Sequence, residues 1–526
     1  MSLTKAHFRM ISGQPFNVKD YGAVGDGVAD DTAAIQATIN AANTAGGGTV
    51  YFPSGDYKTD SQITLESDIE LRGDMNARLM PSSLVPAQAY HADSKNNIRI
   101  IGLLFEGVGT QYTAGTQRLV QFSSCNEIQI DGCTFRKSRE IGVVIDNCSQ
   151  GRMSSCLFEN NYFYGAEVRN GSTSWVVSDC IFYENGSTGV ATSAGGRGIV
   201  IWQATRINIT NCTFTNQTEY GLRFYSQASD TITNQQCVVS NCTFENNGTT
   251  ASGKVDLYFY NGKGTMETFA VTNCTFRTRS NNVSISVEGE GLAVSNCSFE
   301  DASAGNATAF VFFRTDNVVV SNCVARDYSV LFSFSGTSIA NNININNCQG
   351  INIGTVTQGI YGNNHVISNC YFIQSTAGAA ALNTMISADA ASAVNTRILN
   401  NVFQNCYRGI QINIGVTDAE ISGNRFINTS DADVRCYGTD LSNLIFHDNV
   451  LDSGTNPPEL GKFELRGGID AQVVGALAAI PSVFSYRIGD RFYNTAPTAG
   501  TATDIGWVCT AAGTPGTWKG FGDIAS

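Results

Sequence analysis

Asp146 and Glu167 lie in two short segments of the same shape, GVVID at 142–146 and GAEVR at 165–169. A pair of carboxyl groups is what cleavage of a glycosidic bond by water requires. One protonates the leaving oxygen and the other activates water or attacks carbon, at separations of about 5 Å for retention and about 6.5–9.5 Å for inversion. Four more segments repeat the pattern: GIVIW at 198–202, GLRFY at 221–225, DLYFY at 256–260 and SISVE at 284–288. Their apolar places (Val143/Ile145, Ala166/Val168, Ile199/Ile201, Leu222/Phe224, Leu257/Phe259, Ile285/Val287) recur at period 2, which is a half-buried strand. The opposite face then holds two columns. One is Val144, Glu167, Val200, Arg223, Tyr258 and Ser286; the other is Asp146, Arg169, Trp202, Tyr225, Tyr260 and Glu288.

Aromatic rings stack on the C–H faces of sugars, while guanidinium and carboxylate groups bond their hydroxyls, so these columns suit a polysaccharide groove. Asp146 and Glu167, one coil and two residues apart, should have backbones roughly 8 Å apart, which favours inversion. Arg169 and Arg223 would orient the chain, with Trp202, Tyr225, Tyr258, Tyr260 and Glu288 completing the groove. Glu219, at the bend before GLRFY, and Asp256, at the start of DLYFY, are further candidates for the acid and base. Elimination at a uronate is the alternative chemistry, with Tyr225, Tyr258, Tyr260, Arg169 and Arg223 of the right type for the base and for neutralising the carboxylate. Binding without cleavage is the third.

The scaffold that aligns these segments is a repeat. NCTF occurs at Asn211, Asn241 and Asn273 and NCSF at Asn296, and the same place is marked by Cys133, Cys156, Cys180, Cys323, Cys348 and Cys370. Leu103 precedes the series, and Asn401, Asn424 and Asn449 continue it, giving fourteen coils spaced by 22 to 32 residues. Each has an alternating strand before the cysteine, F-x-N turns after it, and then the variable strand. Short strands separated by Asn/Gly turns at a fixed long period predict an all-β parallel solenoid, with Cys and Phe inward and Asn at the bends. The N-x-[ST] matches at these asparagines follow from the repeat rather than marking glycosylation. The longest spacings, from Cys180 to Cys274, place extra turn residues beside the stripe, where they would wall a groove.

Composition narrows the partners. A net charge of -13 and few charged residues (15%) argue against nucleic acid and anionic membrane surfaces. No apolar run is long enough to span a bilayer, and MSLTKAHFRMISG lacks the pattern of a secretory signal. The sixteen cysteines mostly recur once per coil and are expected to be free and buried. With four histidines and no Cys-x-x-Cys, neither a metal site nor a cofactor is expected.

The segment FNVKDYGAVGDGVADDTAAIQATINAANTAGGGTVYFPSGDY, 16–57, reads as strand, Gly-rich turn, Asp30/Asp31 opening an amphipathic helix, and strand. It lacks the spacing of a phosphate loop or a calcium loop. It resembles the opening motif of the pectate-lyase-like superfamily, in the version common in bacteriophage tail spikes, and the resemblance covers about 14–455. It implies a right-handed, single-stranded parallel β-helix whose first coil is capped by this helix. The implied division is an arm at 1–13, cap and first coils at 14–100, coils carrying the groove at 101–456, and a small C-terminal β-module at 457–526. It further implies a homotrimer on a virion tail that meets bacterial surface polysaccharide, attached through the arm or an adaptor protein. Fold alone does not select the reaction.

Overall fold

The computed structural model describes residues 14–450, apart from 84, 86, 109–116, 187–195, 228, 231–232, 249–254, 262–266, 279–281, 302–306, 335–339, 375–383, 389–392, 413–415, 431 and 437–444. Beyond 450 it describes 463–465, 474–477, 491–494, 504–512 and 516–523. The expected arm at 1–13 and the boundary near Pro457 lie outside the described residues. The chain divides into two compact units, 1–278 and 279–526.

The first unit is a parallel β-helix. A coil holds three strands rather than the two expected: Tyr164–Arg169, Thr173–Ser178 and Ile181–Tyr183, for example, pair in parallel with Arg197–Trp202, Thr205–Thr210 and Thr213–Thr215 of the next coil. The residues around the recurring Phe are therefore a three-residue strand before the turn. That strand stacks Phe105, Phe135, Phe158, Phe182, Phe214, Phe244 and Phe276 at ring spacings of 4.8 to 5.1 Å, the distance between parallel strands. The NCTF phrase is now explained. Asn211 takes a left-handed backbone (φ 53°), which asparagine tolerates better than most residues, Cys212 and Phe214 are buried, and Thr213 between them faces out. Every cysteine whose side chain is described is free and buried.

The cap forms as expected, with one difference. The helix Thr32–Thr44 buries Ile35, Thr38, Ile39 and Ala42. Asp31 precedes it, but its carboxylate accepts from the amides of Val24 (2.6 Å) and Gly25 (3.0 Å), fixing the Gly-rich turn instead of the helix end. Asp30 accepts from the Thr32 amide, 3.0 Å away. Gly25 is at φ +70° with Tyr57 against it, so a side chain there would meet the ring at 2.9 Å.

The second unit is also built of parallel ladders, for example Ser298–Asp301 on Val324–Arg326 on Gln349–Ile351. Where cysteine gives way to asparagine, the amide replaces the small apolar filler with a ladder. The Asn401 amide N–H donates to Asn424 Oδ1 (2.9 Å), and that of Asn424 to Asn449 Oδ1 (3.0 Å). A separate sheet of Val474–Leu477, Arg491–Asn494, Asp504–Ala511 and Thr517–Asp523 includes an antiparallel hairpin, unlike the coils.

Candidate functional site

The outward columns of the first unit register as the sequence requires. Val144 pairs with Glu167, Glu167 with Val200, Val200 with Arg223, and Arg223 with Tyr258. In the second column Asp146 pairs with Arg169, Arg169 with Trp202, Trp202 with Tyr225, and Tyr225 with Tyr260.

Asp146 and Glu167 share one guanidinium. Arg169 donates through Nε (3.0 Å) and Nη2 (2.9 Å) to Asp146 Oδ2, and through Nη1 (2.9 Å) to Glu167 Oε2. Asp146 Oδ1 accepts from Asn170 Nδ2 at 2.8 Å. Glu167 is 5% exposed, and this burial pushes its carboxyl above the ordinary range against the opposing pull of Arg169 and Arg118. Arg169 is itself desolvated, yet Glu167 and Asp146 hold it above the usual arginine value. A protonatable carboxyl, a fixed carboxylate and a cation between them can divide acid and base work.

Beside this cluster stands an aromatic platform. Tyr225 and Tyr260 stack at 5.2 Å, and Trp202 meets Tyr225 edge-on at 6.1 Å. The indole is pinned by Nε1 donating to Asp230 Oδ2 at 2.8 Å. Tyr258 stacks on Tyr220 at 5.2 Å. Arg223 lies over the Tyr225 ring, 4.1 Å from its centre, and 5.5 Å from the centres of Tyr220 and Tyr258.

Several residues of this surface escaped the sequence reading: Arg118, Glu140, Tyr164, Arg197, Tyr220 and Asp230. The strand bends at the glycine that had been used only as an alignment mark. Added Cβ atoms at Gly142, Gly165, Gly198 and Gly221 would all strike the phenylalanine stack, so the glycine faces in and the residue before it faces out. Tyr164, Arg197 and Tyr220 thereby form a third outward column. Arg197 donates to Glu219 Oε2 (2.8 Å) and to the Tyr164 hydroxyl (2.5 Å), and Arg118 pairs with Glu140 at 2.9 Å.

One proposed member changes place. Asp256 occupies the glycine position of its coil and points inward. It is 1% exposed, its oxygens accept from Asn247 Nδ2 (2.8 Å) and Thr278 Oγ1 (2.5 Å), and burial raises it to about 7. It cannot touch a groove ligand from there, because the glycine register turns this strand position into the core. Glu219 stands at the bend before its strand, as expected, where it is 8% exposed and tied to Arg197 of the third column. Glu288 belongs to the second unit, where it is half-buried, raised by that burial, and 4.0 Å from Arg314. Most of the expected wall-forming turns (187–195, 249–254, 262–266) lie outside the described residues. Among the described residues no group of three His, Cys, Asp or Glu side chains is placed to hold a metal, and no helix is long and apolar enough to cross a membrane.

Stacked parallel ladders with a capping helix and an outward polar stripe define a parallel β-helix. Residues 15–252 match the family described as Rhamnogalacturonase A/epimerase, pectate lyase-like. Among solved structures, the tailspike protein of E. coli bacteriophage HK620 in complex with a pentasaccharide shares the fold, with a TM-score of 0.53 at 12% identity over 82% of this chain and 78% of that one. Short segments match curated proteins of Azotobacter vinelandii. The chain is 54% identical to mannuronan C5-epimerase AlgE1 and 51% identical to alginate lyase 7, over 65 residues in each case. That is 11% of this chain, and 5% and 8% of those proteins.

Proposed function

We propose that the protein binds a bacterial surface polysaccharide, capsule or O-antigen, along the outward stripe and hydrolyses it within the chain, as a homotrimeric component of a virion tail. The observation that carries this reading is the Arg169-bridged pair of Glu167 and Asp146 beside the Trp202, Tyr225 and Tyr260 platform. In the reaction, Glu167, whose proton affinity burial raises, gives its proton to the leaving glycosidic oxygen. Asp146 accepts a proton from the water that attacks the anomeric carbon, and Arg169 holds both side chains in orientation. The pentasaccharide held by the HK620 tailspike supports a saccharide ligand for this fold.

A second reading is elimination from a uronate-containing polymer, favoured by the tyrosines around Arg223 and by the short match to an alginate lyase. Mass spectrometry of oligosaccharides released from a panel of surface polysaccharides separates the two. Hydrolysis adds one water per cut, and Glu167→Gln and Asp146→Asn then abolish release. Products lacking that water and carrying an unsaturated uronate would overturn the carboxylate-pair mechanism.

A further inference from the structure

The guanidinium groups of the stripe are not equivalent. Arg118 is paired with Glu140, Arg169 with Asp146 and Glu167, and Arg197 with Glu219. Arg223 has no carboxylate partner among the described residues, and its Nε, like that of the carboxylate-paired Arg197, is buried without a hydrogen-bond partner. Its surroundings are the rings of Tyr220, Tyr225 and Tyr258. Rings contact the flat face of a guanidinium and leave its edge of N–H donors free. Taking a cation out of water without a counter-charge is costly, and ring contacts return only part of that cost. Burial and the neighbouring Arg197 both pull Arg223 below the ordinary arginine value, the signature of a positive site short of negative charge.

We propose that Arg223 is the specificity-determining residue of the groove and grips a carboxylate carried by the polysaccharide, so that the polymer bears an acidic sugar. The proposal rests on the polysaccharide reading above. The tyrosine cage holds the guanidinium fork in one plane, the geometry that meets a carboxylate with two parallel hydrogen bonds. Arg197 adds positive charge from the coil before, while its own fork is engaged by Glu219 and Tyr164. On a chain of net charge -13 an anionic group meets repulsion over most of the surface. A single unneutralised cation therefore fixes which sugar of the repeat sits at this coil, and so which linkage reaches Glu167 two coils away. Arg169, although more obviously placed beside the carboxylate pair, is already consumed by it.

The test uses the full chain and a panel of purified capsular and O-antigen polysaccharides, together with alginate, polygalacturonate and neutral dextran. Each acidic polymer is offered native and after chemical reduction of its carboxyl groups to alcohols. The expected result is retention of an acidic polymer that weakens by roughly 10- to 100-fold on reduction, the scale of a charge-assisted bidentate contact. Arg223→Gln should bind the native polymer as weakly as the parent binds the reduced one and be indifferent to reduction. Arg223→Lys, which keeps charge but not the fork, should fall between. Equal thermal stability of the variants and the parent excludes a folding effect. A polymer bound equally before and after reduction, or an Arg223→Gln variant as sensitive to reduction as the parent, leaves the groove in place and overturns the carboxylate grip. Failure to retain any polymer removes the groove reading, and the grip with it.

Discussion

Asp256 gives the sharpest quantitative expectation. Its carboxyl is sealed in the core and raised to about 7 from an unfolded value near 3.8. The folded state therefore holds a proton that the unfolded chain has released between these two values, and stability falls as pH rises from about 4 through 7, flattening above. Roughly three pH units at about 1.36 kcal/mol each make the ionised form costly by about 4 kcal/mol at pH 8. Asp256→Asn keeps the shape and both partners, since an amide can accept from Asn247 and donate to the Thr278 hydroxyl. Parent and variant should therefore differ little near pH 4 and by about 3 to 4 kcal/mol, in favour of the variant, near pH 8. Denaturant unfolding at the two pH values reads this, and the parent–variant difference cancels every other titrating group. A difference that does not change with pH would refute the assignment of a buried, titrating Asp256. The same variant should release oligosaccharides at the parent's rate. A loss matching that of Glu167→Gln would return Asp256 to the chemistry.

Other expectations follow from neighbouring contacts. Trp202→Ala should raise the polymer concentration for half-saturation by about 5- to 100-fold, as removal of a central aromatic anchor does. Asp230→Ala, which only frees the indole, should produce a smaller loss of the same kind; equal retention by both variants and the parent would remove the platform. Burial alone would raise Glu106, but Lys137, Arg136 and Arg78 hold it down at about 2. Its contribution is thus present above about pH 4.5 and lost as pH falls toward 2. Glu106→Gln should flatten the acid limb of thermal stability, and an unchanged limb would contradict the ion ladder. Gly198→Ala would place a methyl 2.5 Å from the Gly221 carbonyl oxygen and 2.7 Å from Phe214. The strain should cost about 1–3 kcal/mol in unfolding experiments.

The periodic features were legible because their causes are local. Cysteine, phenylalanine and left-handed asparagine each answer to one position of the coil, and period-2 alternation set the register of Glu167, Arg223 and Tyr258 without error. The third short strand was hidden, since three residues around Phe214 carry no period of their own. The inward turn of the glycine position was hidden too. Period 2 made Gly221 and Arg223 appear to share a face, whereas the bend puts Gly221 and Leu222 both inside. That one break cost the sequence reading the Tyr164, Arg197 and Tyr220 column and placed Asp256 on the wrong side of the sheet.

The same break shows why frame and site vary separately. The inward columns are bound by contact with the coil above and below. A change at Gly198 strikes both Phe214 and Gly221, and neither can move without its own neighbour. Outward positions pay no such debt to packing, but they are coupled through charge. Glu167, Asp146, Glu140 and Glu219 are each met by a guanidinium from a neighbouring position. A row balanced in this way presents little field to a ligand except where the pairing is left incomplete. The uncompensated Arg223 is such a place, open to negative charge, whereas Glu167 is met by Arg169 and is set apart by the burial that raises it, which suits the acid role proposed for it. With one coil between theirs, a strand spacing of about 4.8 Å separates them by roughly 10 Å. Replacing Arg223 should therefore change which polymer is cut before it changes how, whereas replacing Glu167 should stop cutting while leaving binding intact.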